Sequence, residues 1–65
     1  MKGEIVTLNA ERGFGFIRGA RHLKKDFYFR VRDCRDDVAL GDEVEFETEQ
    51  ADKGPRAVNV RRARL

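Results

Sequence analysis

No stretch of this 65-residue chain sustains a helical period; short strand-like runs alternate with turn signals instead. That alternation commits the chain to an all-β fold. The first run covers residues 2–8, with Ile5, Val6 and Leu8 as its apolar members. Asn9-Ala10-Glu11-Arg12 reads as a turn into a second strand, 13–18, and a basic loop over 19–25 follows. In the third strand, 27–31, Phe27, Phe29 and Val31 face one side and Tyr28 and Arg30 the other. Gly41-Asp42 introduces a fourth strand, 43–49, anchored by Val44 and Phe46. Asp52-Lys53-Gly54-Pro55 forms the last turn, and a fifth strand, 56–62, carries Ala57, Val58 and Val60. The segment 32–39 is too polar for a strand and reads as loop. Five short antiparallel strands in one small domain, 1–65, predict a closed or nearly closed barrel, because an open sheet leaves edges exposed. The expected core is Ile5, Leu8, Ile17, Phe27, Phe29, Val44, Phe46, Val58 and Val60. A core of that size supports a stability of only a few kcal/mol.

Nothing staples this small fold. A lone cysteine, Cys34, forms no intramolecular disulfide, and with a single histidine, His22, it makes no zinc site. Cys34 therefore reads as a free loop thiol, and no metal or cofactor is expected. The start, Met1-Lys2-Gly3-Glu4, has no apolar run, and no segment is long enough to span a bilayer. A cytoplasmic protein with no membrane partner is the expectation. The net charge is only +2, but its distribution is uneven. Residues 1–30 hold seven Lys and Arg against three Asp and Glu, a net of +4; residues 31–50 hold two against eight, a net of −6. Residues 51–65 return to +4, with five against one. One face or edge can thus be positive although the total is small, with the acidic stretch lying in a solvated hairpin.

Phase along the second and third strands carries the functional reading. In Arg12-Gly13-Phe14-Gly15-Phe16-Ile17, Phe14 and Phe16 share one face, while Gly13, Gly15 and Ile17 share the other. If Ile17 enters the core, both rings face solvent, a costly patch unless something binds it. Pairing with the third strand adds Tyr28 and Arg30 to that face, bordered by Arg12 and Arg18. Three rings among guanidinium groups suit unpaired nucleotides, whose ring faces are free to stack. A duplex hides those faces and is expected to bind poorly, mainly through charge. The basic tail Arg61, Arg62 and Arg64 reads equally well as a solvated terminus.

Three blocks of this chain resemble the cold-shock domain family, and the resemblance covers nearly its whole length. Asn9-Ala10-Glu11-Arg12-Gly13-Phe14-Gly15-Phe16-Ile17 is similar to the family's first RNA-binding motif, and Asp26-Phe27-Tyr28-Phe29-Arg30-Val31 to its second. Lys53-Gly54-Pro55-Arg56-Ala57-Val58-Asn59-Val60 resembles its last turn and strand. The RNA-recognition motif shares the Gly-Phe-Gly-Phe core, but it needs two helices and a longer chain. The resemblance implies a five-stranded OB-type barrel that binds single-stranded RNA or DNA, as RNA chaperone, antiterminator or translational regulator. It implies Phe14, Phe16 and Tyr28 as stacking residues, Arg12 and Lys53 as basic rim contacts, and Asp26 as a hydrogen-bond partner for a base. Arg18, Arg30 and Arg56 complete the expected nucleic-acid-binding set.

The chain departs from the family pattern on the same face. Thr7 stands where the family usually has tryptophan, and Val6 where lysine is common. Arg30 replaces the usual histidine and Val31 the usual phenylalanine, and the 32–39 loop is short and lacks its aromatic. Losing about three stacking groups at about 1–3 kcal/mol each weakens binding by orders of magnitude. Added arginines offset part of that through phosphate contacts, which salt screens. The expected affinity is micromolar, with less base preference and more salt dependence than the family norm. A protein-interaction module using the same aromatic patch is the alternative. No nucleophile–base pair points to an enzyme, and no small-molecule substrate is expected. A monomer, or a weak homodimer made by strand exchange, fits the shortened loop.

Overall fold

The computed structural model describes residues 1–19, 25–52 and 54–63. Its strands are β1 (Lys2–Asn9), β2 (Phe14–Gly19), β3 (Asp26–Arg30), β4 (Glu43–Ala51) and β5 (Gly54–Arg62). They close into a barrel in the order β1-β2-β3-β5-β4, with β4 returning to β1. Four seams are antiparallel, as the turn pattern predicts; the fifth joins β3 and β5 in parallel, at Tyr28 opposite Arg56. The result is the OB-type architecture expected.

Two bulges let such short strands close. Ile5 faces Ile17 and Thr7 faces Phe16, so Val6 is an extra residue on β1. An extra residue bends a strand and sharpens its twist, which lets β1 pair with both β2 and β4. It also turns Ile5 and Leu8, three residues apart, toward the same interior. On β5, Val58 faces Glu47 and Arg61 faces Glu45, so three steps on β5 match two on β4. Asn59 lies in this bulge at φ 53°, a left-handed conformation that asparagine tolerates better than most residues. The bulge corrects the predicted core. Strict alternation sends Val58 inward with Val60; instead Ala57 and Val60 are buried and Val58 is half-exposed.

The interior is Ile5, Ile17, Phe27, Phe29, Val44, Phe46, Ala57 and Val60. Phe27 and Phe46 meet with ring centroids 5.4 Å apart, and Leu8, Cys34 and Val38 pack partly buried around them. Gly15 is required by close approach: a side chain there would meet the Thr7 carbonyl and come within 2.8 Å of the Phe29 ring. Phe29 therefore fills the space directly behind Phe14 and Phe16.

Val31 does not continue β3 into the core as alternation predicts. The chain leaves the strand at Arg30 and makes a 3-10 turn over Val31–Asp33, leaving Val31 40% exposed. The Val31 N–H still donates to the Gly13 carbonyl at 2.8 Å, one rung beyond Phe14–Arg30, and the turn then closes through the Cys34 N–H to the Val31 carbonyl at 3.0 Å. The polar segment beyond is loop, as predicted, but it is strapped to β5. The Arg35 N–H donates to the Val60 carbonyl at 2.7 Å, and the Arg62 N–H to the Asp36 carboxylate at 2.9 Å. Among the described residues, no helix is long and apolar enough to cross a membrane.

Candidate nucleic-acid interface

The outward register of β2 on β3 is Phe14 opposite Arg30, Phe16 opposite Tyr28, and Arg18 opposite Asp26. The three rings gather into one cluster. Phe14 and Tyr28 lie nearly parallel, 25° between planes and 5.8 Å between centroids. Phe16 stands edge-on to both, at 6.3 Å from Phe14 and 5.9 Å from Tyr28. Edge-on and offset contacts are the arrangements that ring quadrupoles favour, so the rings brace one another while each stays half-exposed. Thr7 and Asn9 on β1 pair with Phe16 and Phe14 and border the cluster on its other side.

The cations fall into two classes. Arg18 and Arg56 are already partnered. The Arg18 Nε donates to the Asp26 carboxylate at 3.1 Å, a hydrogen bond that together with the opposite charge raises the guanidinium's pKa further. Arg56, beside Tyr28 across the parallel seam, donates through Nη2 to Glu49 at 3.1 Å, while its Nε is buried with no partner among the described residues. Asp26 is thus occupied by a cation. Arg12 and Arg30 form the second class. Both are exposed, and neither guanidinium pairs with another described residue.

The turn that carries Arg12 is built by Asn9. Its side-chain oxygen accepts from the Arg12 N–H at 3.1 Å, and its carbonyl from the Gly13 N–H at 2.8 Å. Gly13 takes φ 77°, which glycine adopts without strain. A cavity of about 390 Å³ opens between this turn and the 3-10 turn, lined by Arg12, Gly13, Tyr28, Arg30, Val31 and Arg32. Arg32 is the residue the sequence reading missed. Nothing local marks it, because it reaches the aromatic face only through the Val31–Gly13 hydrogen bond. Lys53, expected at the rim, and His22 lie outside the described residues.

Burial, with Asp33 and Asp36 adding to it, pushes the Cys34 thiol up to about 11, so it stays neutral at ordinary pH. No cluster of metal-ligating side chains occurs among the described residues. On the far side of the barrel, Glu45 lies 3.9 Å from Arg61, and Glu47 accepts from Asn59 at 2.8 Å.

Comparison with known proteins places this face in context. The model of the "Cold-shock" DNA-binding domain matches residues 1–63. Cold shock protein CspA of Staphylococcus haemolyticus is 38% identical over 61 residues, covering 91% of this chain and 92% of its own. CspA of Staphylococcus aureus matches to the same extent. The cold shock-like protein CspC of Escherichia coli is 38% identical over 64 residues, covering 92% of this chain and 91% of its own.

Proposed function

This chain belongs to the cold-shock DNA-binding domain family, and from that premise we propose that it binds single-stranded RNA or DNA by stacking unpaired bases on Phe14, Phe16 and Tyr28. The observation that carries the reading is the ring cluster itself: three half-exposed aromatics in mutual contact, backed by Phe29, with unpaired guanidinium groups beside them. Each stacked base contributes about 1–3 kcal/mol and does so for any sequence. Arg12 and Arg30 supply free cations to the backbone, Arg56 reaches it only where it gives up Glu49, and the family resemblance adds Lys53 as a further basic contact. Arg18 and Asp26 bound the platform as a pair, and Asp26 meets a base only where it gives up Arg18.

The protein works without catalysis. It holds unpaired segments, and binding one side of an equilibrium shifts hairpins toward the open state with no energy source. That is the action of an RNA chaperone or of a regulator of transcription or translation in the cytoplasm. With Thr7 and Val31 flanking the platform in place of further rings, affinity is micromolar and depends strongly on salt.

The test is fluorescence anisotropy of a labelled pyrimidine-rich single strand, with wild type and Phe14→Ala/Phe16→Ala at two salt concentrations. Binding collapses in the double variant, and the salt slope counts the phosphate contacts. Binding indifferent to both rings, or none at all, overturns the reading and assigns the aromatic face to a protein partner.

A further inference from the structure

Stacking does not account for the cavity at the end of the platform. Its walls are the Asn9–Gly13 turn and the 3-10 turn, tied together by the Val31 N–H bond to the Gly13 carbonyl. Arg12, Arg30 and Arg32 all line it, and no carboxylate among the described residues does. None of these three guanidinium groups pairs with another described residue, whereas Arg18, Arg56 and Arg61 each have an acidic partner. Three exposed arginines at one concavity, none with an acidic partner among the described residues, can turn their guanidinium groups to a shared anion. Tyr28 forms the remaining wall and belongs at once to the ring cluster. An anion held here is therefore next to a base stacked on Phe14 or Tyr28.

We infer that this cavity binds a terminal phosphate, the phosphomonoester at one end of a single strand. An internal phosphodiester carries one negative charge and two free oxygens. A monoester carries nearly two charges at neutral pH and three strong acceptor oxygens. Guanidinium forks match phosphate oxygens two at a time, so three arginines are better satisfied by the richer acceptor. The tied walls hold Gly13 and Val31 in register, which lowers the ordering cost of capture. The protein then reads a strand end as well as its unpaired bases. The strand part of this inference rests on the proposed platform; the pocket does not.

Two measurements test it. In the first, unlabelled oligonucleotides of one sequence, ending in hydroxyls, a 5′-phosphate or a 3′-phosphate, compete for a labelled strand. One phosphorylated strand competes about tenfold better than the hydroxyl-ended strand, the factor expected for one additional charge-assisted pair. Arg32→Gln brings that ratio close to one. In the second, arginine Nε–H resonances are followed by NMR as thymidine 5′-monophosphate, thymidine 3′-monophosphate, the dinucleotide TpT or thymidine is added. Resonances of Arg12, Arg30 and Arg32 move with a monophosphate, less with the diester, and not with the nucleoside. Strands that bind without regard to their ends, with no arginine response to monophosphates, overturn the pocket and leave the platform standing. Monophosphate shifts without strand binding do the reverse. An equal response to TpT and monophosphate also overturns the inference, since the cavity then reads any phosphate.

Discussion

On the β4–β5 ladder two of the three β5 arginines meet acids: Arg61 lies 3.9 Å from Glu45 and Arg56 3.1 Å from Glu49, while the Arg62 guanidinium at the end of the strand meets none among the described residues. On the β2–β3 ladder Arg30 faces Phe14, Tyr28 faces Phe16, and only Arg18, at the far end, meets an acid in Asp26. Both ladders are antiparallel, and both bury phenylalanine in the same core. The difference lies wholly in what faces water. Exposed ion pairs contribute about 0–1 kcal/mol each, so the β4–β5 pairs mainly cancel one another's charge. The rings and lone guanidinium of β2–β3 cancel nothing, and folding leaves their binding capacity open. A surface that satisfies itself supports the fold; one that does not is available to a ligand.

The harshest way to break the comparison is from inside. Phe29→Ala empties the space behind the rings and costs about 3–5 kcal/mol, comparable with the whole stability of so small a domain. Circular dichroism and NMR then show an unfolded chain, with both ladders lost together. A variant that keeps β4–β5 ordered while β2–β3 melts shows that the ladders do not share one cooperative core. Next comes Tyr28→Ala, which removes the ring that touches both phenylalanines. Strand affinity falls by about 1–3 kcal/mol, roughly five- to 150-fold. The melting temperature moves little, because the side chain is half-exposed. Loss of fold in step with binding contradicts the separation of surface from core.

Matched charge removals sharpen the same contrast. Arg30→Gln takes away a cation with no partner. It weakens strand binding and lowers the slope of log affinity against log salt by about 0.7, the value of one single-strand phosphate contact. Arg61→Gln removes a cation already held by Glu45. It leaves both affinity and slope unchanged, and alters stability by no more than about 0.5 kcal/mol in a denaturant titration. Equal effects of the two erase the distinction between the ladders.

The barrel and the ring cluster were legible because both follow from local alternation: Phe14 and Phe16 share a face by spacing, and buried Ile17 decides which face it is. What alternation hides is where it slips. Asn59 exchanges Val58 for Ala57 in the core through a single extra residue, and no local signal outweighed the apolar character of valine. Val31 continues the β3 pattern in sequence and its N–H still bonds the Gly13 carbonyl, yet its own carbonyl accepts from the Cys34 N–H and starts a 3-10 turn. Arg32 was missed for the same reason. Its place beside Tyr28 depends on a non-local hydrogen bond that residue spacing does not encode. The partners of Arg18 and Arg56 also required the structure, since cross-strand register decides which charges meet.

The finest test lies where the two ladders are built alike. Arg18 and Asp26 form an exposed pair at the end of β2–β3, the one place where that ladder satisfies itself. Asp26→Asn takes the carboxylate charge from Arg18 and removes an acid that repels phosphate. Strand affinity rises by roughly two- to fivefold and the salt slope steepens by about 0.7, as a guanidinium becomes free for the backbone. Stability shifts by less than about 0.5 kcal/mol, as for other exposed pairs. The opposite result, weaker binding together with lost discrimination between bases, means that Asp26 leaves Arg18 to accept a hydrogen bond from a base. Arg18→Gln separates the cases: it is nearly silent if the pair stays closed in the complex, and it reverses the Asp26→Asn gain when introduced alongside it.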